Sequence, residues 1–352
     1  MILIDGSYGE GGGQLLRYTV ALAALLGKEV KVVNIRAKRS PPGLRPQHLA
    51  AVRTIAQLVG AEVEGLSVGS MEITVRPGGR PRGGSLEVDI GTAGSISLLL
   101  QATLPILVAA DGEVRLRVKG GTDVSWSPPI QYFQHVLLPL LRMFGVRVEV
   151  RLLRRGFYPR GGGLVEVVAS PSYPLKPVDL RDPGELREIR GVSYAANLPR
   201  HVAERQAAAA REVIESEGFR AYLTEIALDT ETPALGPGSG IVLWAVYENG
   251  LVGADALGEK GKRAELVGRE AAQKLVRTLK RGVPVDAHAL DNLVIYMSLA
   301  GGKSVAVSDE LTSHAETAVW LCGRLTGARF EVEKVPAGVK VEASGIGFVP
   351  RG

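Results

Sequence analysis

The sequence predicts an α+β fold made of three related βαβα-type units with extra antiparallel strands, interrupted by a smaller inserted α/β unit. Three observations carry this prediction. A phrase of helix-period apolar run, glycine and alternating strand occurs three times in the 352 residues. Each copy is followed by a second helix-and-strand phrase that opens on a histidine, and the spacing from Gly27 to Gly112 nearly equals that from His48 to His135. Between the second and third copies lies a stretch bounded by Ser170-Pro-Ser-Tyr-Pro-Leu-Lys-Pro177 on one side and Val283-Pro284 on the other.

The first unit opens with the strand Ile2 to Ile4. It continues as a helix from Leu15 to Leu26, meets Gly27 as a C-cap and runs on as a strand from Lys28 to Ile35. His48 then opens a helix that ends at Gly60, before Ala61-Glu-Val-Glu-Gly65. In the second unit the same elements are Leu98 to Ala110, Gly112 and Glu113 to Val118, followed by His135 to Gly145 and the strand Val146 to Val150. In the third they are Leu290 to Ala300, Gly301-Gly302 and Lys303 to Val307, then His314 to Gly327 and Ala328 to Val332. The inserted stretch carries helices over Arg200 to Glu217 and Ala264 to Leu279, with a strand over Gly240 to Tyr247. These boundaries divide the chain into a large triplicated domain, residues 1–181 with 283–352, and a small inserted domain, residues 182–282.

Composition narrows the class. Hydrophobic residues at 45% and charged residues at 22% supply a core and exclude wholesale disorder. A net charge of +5 permits a polyanionic partner without demanding one. The single cysteine, Cys322, excludes an intramolecular disulfide, and no CxxC pair or HExxH helix suggests zinc. The start lacks a basic region and reaches Asp5 at once, unlike a secretory signal. The longest apolar stretch, Ser97 to Ala110, is broken by Gln101 and Pro105 and is shorter than the ~20 residues of a membrane span. A cytoplasmic protein with no membrane partner is expected.

Chemistry concentrates in a few places. Gly9-Glu-Gly-Gly-Gly-Gln14 lies between a strand and a helix, where backbone N–H groups can cradle a phosphate; a plain tight turn is the other reading. It is not a dinucleotide fingerprint, because Gln14 stands where glycine is needed. A P-loop ending at Gly302-Lys303-Ser304 fails at Met297. Arg17, Arg36, Lys38, Arg39 and Arg45 gather around Pro41-Pro42-Gly43, as forks for phosphate on a rigid loop or as a solvated basic loop.

Of the five histidines, His48, His135 and His314 open equivalent helices. His314 differs, since Thr312 and Ser313 offer caps and small neighbours leave its ring accessible. The helix dipole disfavours its charged form, which suits a nucleophile; a structural histidine is the alternative. Asp291 and Asn292, after His288, read as ligand contacts or as helix-start polarity, and Gln101 as a buried hydrogen bond or a ligand contact.

Longer words name a family. Asp5-Gly6, Gly9-Glu-Gly-Gly-Gly-Gln-Leu-Leu-Arg17, Ile35-Arg-Ala-Lys-Arg39, Gln47-His-Leu49, Gly120-Gly-Thr-Asp123, Gly156-Phe-Tyr-Pro-Arg-Gly-Gly-Gly163, Pro199-Arg-His-Val-Ala-Glu-Arg205 and His314-x-x-Thr317 occur in one order along the chain. By these words the chain resembles RNA 3'-terminal phosphate cyclases from end to end.

The resemblance implies three βαβαββ-like repeats, enolpyruvyl-transferase-like, with an inserted domain. It implies ATP-dependent conversion of an RNA 3'-phosphate to a 2',3'-cyclic phosphodiester, with RNA as partner. His314 becomes the nucleophile that carries AMP. Gln101, Pro128 and the stretch His288, Ala289, Leu290, Asp291 and Asn292 become the nucleotide pocket, and Glu10 lies near phosphates and a Mg²⁺ or Mn²⁺ ion. Arg17, Arg36, Arg39 and Gln47 become the grip on the terminal phosphate. Asn292 where the family often has glutamine, and His288 where some relatives have tyrosine, bear on purine selectivity.

A lysine-type nucleotidyl transferase is excluded by Leu3, which stands where Lys-x-Asp-Gly needs its lysine. A non-catalytic cyclase-like protein that binds RNA or assists ribosome assembly remains the alternative, with a monomer and a homodimer both open.

Overall fold

The computed structural model describes residues 1–351. Its first sheet is formed by β1 (Ile2–Asp5), β2 (Val30–Val33), β3 (Glu62–Glu64) and β4 (Ile73–Arg76), in the order β1-β2-β4-β3. Two helices, α1 (Gly13–Leu26) and α2 (Pro46–Val59), connect these strands. The second sheet has β5 (Gly84–Asp89), β6 (Val114–Gly120), β7 (Arg147–Arg154) and β8 (Gly163–Ser170), in the order β5-β6-β8-β7. Its helices are α3 (Ile96–Leu107) and a composite of α4 (Ile130–Tyr132), a π-helical segment (Phe133–Leu137) and α5 (Leu138–Met143).

A third sheet repeats the order as β9-β14-β16-β15, from β9 (Asp179–Leu180), β14 (Gly301–Ser308), β15 (Arg329–Val335) and β16 (Gly338–Ile346). It carries α8 (Ala287–Leu299) and α9 (Ser313–Thr326). In each sheet the first two strands in this order are parallel and the later pairings antiparallel.

The chain between β9 and α8 forms a fourth sheet, β11-β10-β12-β13, from β10 (Leu186–Ala196), β11 (Leu223–Asp229), β12 (Gly238–Tyr247) and β13 (Leu251–Leu257). Its helices are α6 (His201–Ile214) and α7 (Ala264–Arg281). Alternation along β12 sorts two faces. Ile241, Leu243 and Ala245 join a separate apolar cluster with Ala271 and Leu275 of α7, while Val242 and Trp244 face the main core.

Helices α1, α3 and α8 are buried along nearly their whole length, which explains why their sequences are apolar almost all round. Among the described residues no helix is long and apolar enough to cross a membrane.

Several expected boundaries shift for physical reasons. Gly27, Gly60 and Gly327 do cap α1, α2 and α9 in the left-handed conformation. Gly112 and Gly301-Gly302 do not act as caps. α3 runs through Pro105 and ends at Leu107 with Val108 as its cap, well before Gly112, and Gly301-Gly302 start β14. His135 opens no helix: it lies inside the π segment, stacked on Trp244 at 4.3 Å and 2° between ring planes. Its ring ties the second unit to the inserted sheet.

A second tie is charged. Arg155, fully buried after β7, lies 3.3 Å from Asp123 and 2.6 Å from Asp229 at the end of β11, with its guanidinium 3.7 Å over the Tyr194 ring. Burial opposes the charge, but the two carboxylates and the tyrosine outweigh it and push the Arg155 pKa up. Removing one partner of such a pair strands the other in a dry interior. Arg155→Ala is expected to lose about 3–5 kcal/mol of unfolding free energy in a denaturant titration, with partial recovery on adding Asp123→Asn. A loss below about 1 kcal/mol would show the pair to be worth no more than a surface bridge.

Candidate active site

Side-chain contacts join the amino ends of α1, α8 and α9 to one another, and those of α2 and α3 to each other. Gln14 at the start of α1 meets His314 of α9 at 3.2 Å, and Thr312, the N-cap of α9, donates to Asp291 of α8. Gln47 of α2 accepts the backbone N–H of Ser95, the N-cap of α3, at 3.3 Å. Helix starts present unpaired N–H groups and partial positive charge, so their convergence suits an anionic ligand.

Glu10 occupies the centre. Its side chain is 8% exposed, one oxygen accepts from Arg39, and the other, Oε1, lies 3.2 Å from His314 Nδ1. That contact pairs charge without the alignment of a hydrogen bond, and Oε1 has no hydrogen-bonding partner. Burial alone would raise the Glu10 pKa; His314 and Arg39 outweigh it and hold the carboxyl below its usual range.

Glycine shapes the turn around this carboxylate. A Cβ on Gly12 would sit 2.0 Å from Glu10 Oε1, and one on Gly13 would sit 2.3 Å from His48 Nε2. Gly9, at φ +57°, leaves the space that Thr317 Oγ1 fills; a Cβ there would approach it to 2.4 Å. The hydroxyl of Thr317 also donates to Ser313 at 2.7 Å, so the threonine one turn after His314 seats the glycine turn against α9.

His314 is the second residue of α9, with a side chain 45% exposed. The helix start by itself disfavours a charge on this ring. The structure reverses it: Glu10 is the largest influence and raises the imidazole pKa in spite of burial. With Nδ1 turned to Glu10 and Gln14, the proton belongs on Nδ1 and the lone pair on Nε2, which no hydrogen bond engages among the described residues.

Basic side chains surround the carboxylate. Arg17 is buried, its Nε has no partner, and burial lowers its pKa to about 10. Arg36 reaches back to the carbonyls of Pro41 and Gly43 at 2.9 and 3.0 Å, which closes the proline loop. His48 accepts the Arg45 N–H at 3.1 Å, and burial with three nearby guanidiniums lowers its pKa to about 3, so it stays neutral. Arg39 reaches Glu10, and Gln47 holds the 91–95 turn rather than facing the arginines alone.

Of the expected nucleotide residues, Asp291 is tied to the start of α9 through Thr312. Asp291 is buried, accepts from Thr312, lies 4.0 Å from His288 Nδ1, and has a pKa pushed up to about 6 by burial. His288 is 76% exposed, while Asn292 is buried and donates to the His288 carbonyl at 2.7 Å. Ala289 and Leu290 are fully buried and pack the core, and the backbone N–H groups of both are taken up by Asp286. Gln101 is half-buried on α3, and the Pro128 carbonyl accepts from Ser97 at 2.6 Å, but no side-chain hydrogen bond ties either to His314.

Two residues escaped the sequence reading: Asp286 and Tyr132. Asp286 caps α8 and accepts from Tyr132 at 2.6 Å and from Gly253 at 2.9 Å, which fixes the start of α8 against the inserted sheet. An aspartate just before Ala287-His288 was the available signal for that cap.

Comparison with known proteins gives this arrangement a context. The family model described as RNA 3'-terminal phosphate cyclase matches residues 8–332. A protein of that name from Pyrobaculum neutrophilum is 48% identical over 348 residues, covering 99% of each chain. Another from Methanopyrus kandleri is 49% identical over 98% of this chain and 99% of its own. A third, from Hyperthermus butylicus, is 50% identical over 99% of both. The enolpyruvyl transferase NikO from Streptomyces tendae matches at a TM-score of 0.29 and 18% identity, over 49% of this chain and 33% of its own, a likeness too slight to carry weight. At such identity over essentially the whole length, the chain belongs to the RNA 3'-terminal phosphate cyclase family.

Proposed function

We propose that the protein is an ATP-dependent enzyme that closes an RNA 3'-phosphate onto the vicinal 2'-OH through an adenylylated His314. The observation that carries this reading is the half-exposed imidazole whose Nδ1 faces a buried carboxylate while Nε2 is left free. A phosphate monoester lacks a leaving group for the cyclisation, and joining it to AMP supplies one.

In the first step Nε2 attacks the α-phosphorus of ATP, an N–P bond forms and pyrophosphate leaves. Gln14 accepts the Nδ1 proton, and the Glu10 charge balances the positive charge that grows on the ring. In the second step an RNA 3'-phosphate oxygen displaces the histidine, which takes AMP to the RNA end. In the third the 2'-oxygen attacks the 3'-phosphorus, AMP departs, and the 2'-OH proton is lost. The last step gains from enforced proximity.

Arg17, Arg36, Arg39 and Gln47 are assigned to the RNA 3'-phosphate, and Gln101, Pro128 and His288 to Asn292 to ATP. The unpartnered Arg17 Nε supports the first assignment. A divalent ion, Mg²⁺ or Mn²⁺, fits the unpartnered Oε1 of Glu10. No cluster of three or more metal-binding side chains exists among the described residues, so such an ion would take its other ligands from phosphates and water. When bound, it shields the triphosphate charge.

The same reading makes residues 1–181 with 283–352 a triplicated, enolpyruvyl-transferase-like catalytic domain and 182–282 an inserted one. It describes a cytoplasmic enzyme, monomeric or homodimeric.

With α-labelled ATP, His314→Ala is expected to abolish covalent label on the protein while the thermal unfolding midpoint stays near wild type, and His135→Ala to label normally. Label retained in the first variant would refute the nucleophile. Because Glu10 raises the His314 pKa, the neutral ring is lost as pH falls through a value above the ordinary ~6.5. The labelling rate should therefore show an acid limb above that value. Glu10→Gln should move the limb to lower pH; an unmoved limb contradicts the pairing. An RNA ending in 3'-phosphate should become phosphatase-resistant with ATP and protein, whereas one with a 2'-deoxy terminal sugar should stop at the adenylylated end.

A further inference from the structure

Loops at one end of the second and inserted sheets enclose a cavity of about 840 Å³. The body contributes 123–125 with Phe157 and Tyr158; the inserted segment contributes Leu198, the first turns of α6, 237–239 and 257–263. Its floor is closely fitted, because a Cβ on Gly238 would sit 2.2 Å from the Phe157 ring. None of the residues assigned above to ATP or to the terminal phosphate lines it. It nevertheless adjoins them: loop 123–127 leads directly into Pro128, and β13, whose Leu257 lines the cavity, donates from Gly253 to Asp286 at the start of α8.

Charge and aromatic exposure both point to a nucleic acid. Asp123 at the base is neutralised by Arg155, which leaves Arg205, Lys260, Lys262 and Arg263 against the single acid Glu259. Glu265 of α7 holds Arg205 closely and Arg263 at 3.7 Å, and Glu270 holds Lys262, whereas Lys260 is exposed and has no ion pair among the described residues. Tyr158 on the wall is 80% exposed, and Trp126, next after the lining residue Ser125, is 99% exposed. Aromatic rings left in water beside exposed cations form a stacking platform with phosphate partners.

We propose that this cavity binds the single-stranded RNA just upstream of the reacting end, with a base stacked on Tyr158 and backbone phosphates at Lys260 and Arg263. The proposal rests on the RNA-end reading above and adds a second contact region to it. An ATP pocket is the competing occupant, and the test separates the two.

The experiment compares KM for 3'-phosphorylated RNAs of two and ten nucleotides in wild type, Tyr158→Ala and the double variant Lys260→Ala/Arg263→Ala. All three side chains are exposed, so the fold is not at stake. Wild type should favour the ten-mer. Each variant should raise the ten-mer KM roughly tenfold while leaving the two-mer and the labelling by ATP unchanged. The double variant should also show a shallower salt dependence. Loss of ATP labelling in the variants, an unchanged ten-mer KM, or a wild type indifferent to length each overturns the proposal. If wild type itself takes no label from ATP, the reaction scheme fails instead, and ten-mer binding by fluorescence anisotropy in the same variants still decides the cavity.

Discussion

One buried carboxylate holds the centre of this protein together. Glu10 stands between the imidazole of His314 and the guanidinium of Arg39, in a region that also crowds Arg17, Arg36 and Arg45. Without it, those cations would face one another across a poorly solvated space. The glycines of the 9–13 turn follow from the same requirement: the carboxylate folds back where a side chain on Gly12 would otherwise stand. The carboxylate also decides the state of the histidine, overriding the helix start that would by itself leave the ring neutral. Charge at Glu10 therefore bears on both the shape of the loop and the protonation of His314.

How much of this was legible before the structure varies with the kind of signal. Periodic apolar runs located the long helices well, and α7 runs from Ala264 as expected, reaching Arg281 two residues past Leu279. Glycines were a weaker guide, because a glycine after an apolar run is a cap only where the chain turns left-handed. Gly27 satisfies that condition, whereas Gly112 lies beyond a helix that has already ended at Leu107. The equivalence of three histidines was a pattern of sequence alone. His48 is held neutral in the first turn of α2, His135 packs on Trp244, and only His314 stands half-open beside a carboxylate.

The site residues were recoverable as words but not as a geometry. Glu10 and His314 are 304 positions apart, and nothing in local spacing says that they meet. The opposite dependence of the His314 charge arose for the same reason: the helix start is a local feature, and the carboxylate arrives from the far end of the chain. Arg155, the most deeply buried cation, carries no mark of its burial in the sequence, since a pair with Asp229 in another sheet leaves no periodic trace. The inserted sheet is likewise more than an appendage. One face packs on its own helices and the other on the body through Trp244, while Val285 bridges its edge to the third sheet.

The most direct measurement of the central claim is NMR of protein carrying ¹⁵N-labelled histidine, isolated after reaction with ATP. The expected spectrum shows phosphorus coupled to Nε2 of a single histidine, His314, with Nδ1 still protonated and shifted by its carboxylate neighbour. Phosphorus on Nδ1, on another residue, or on no residue at all would contradict the account.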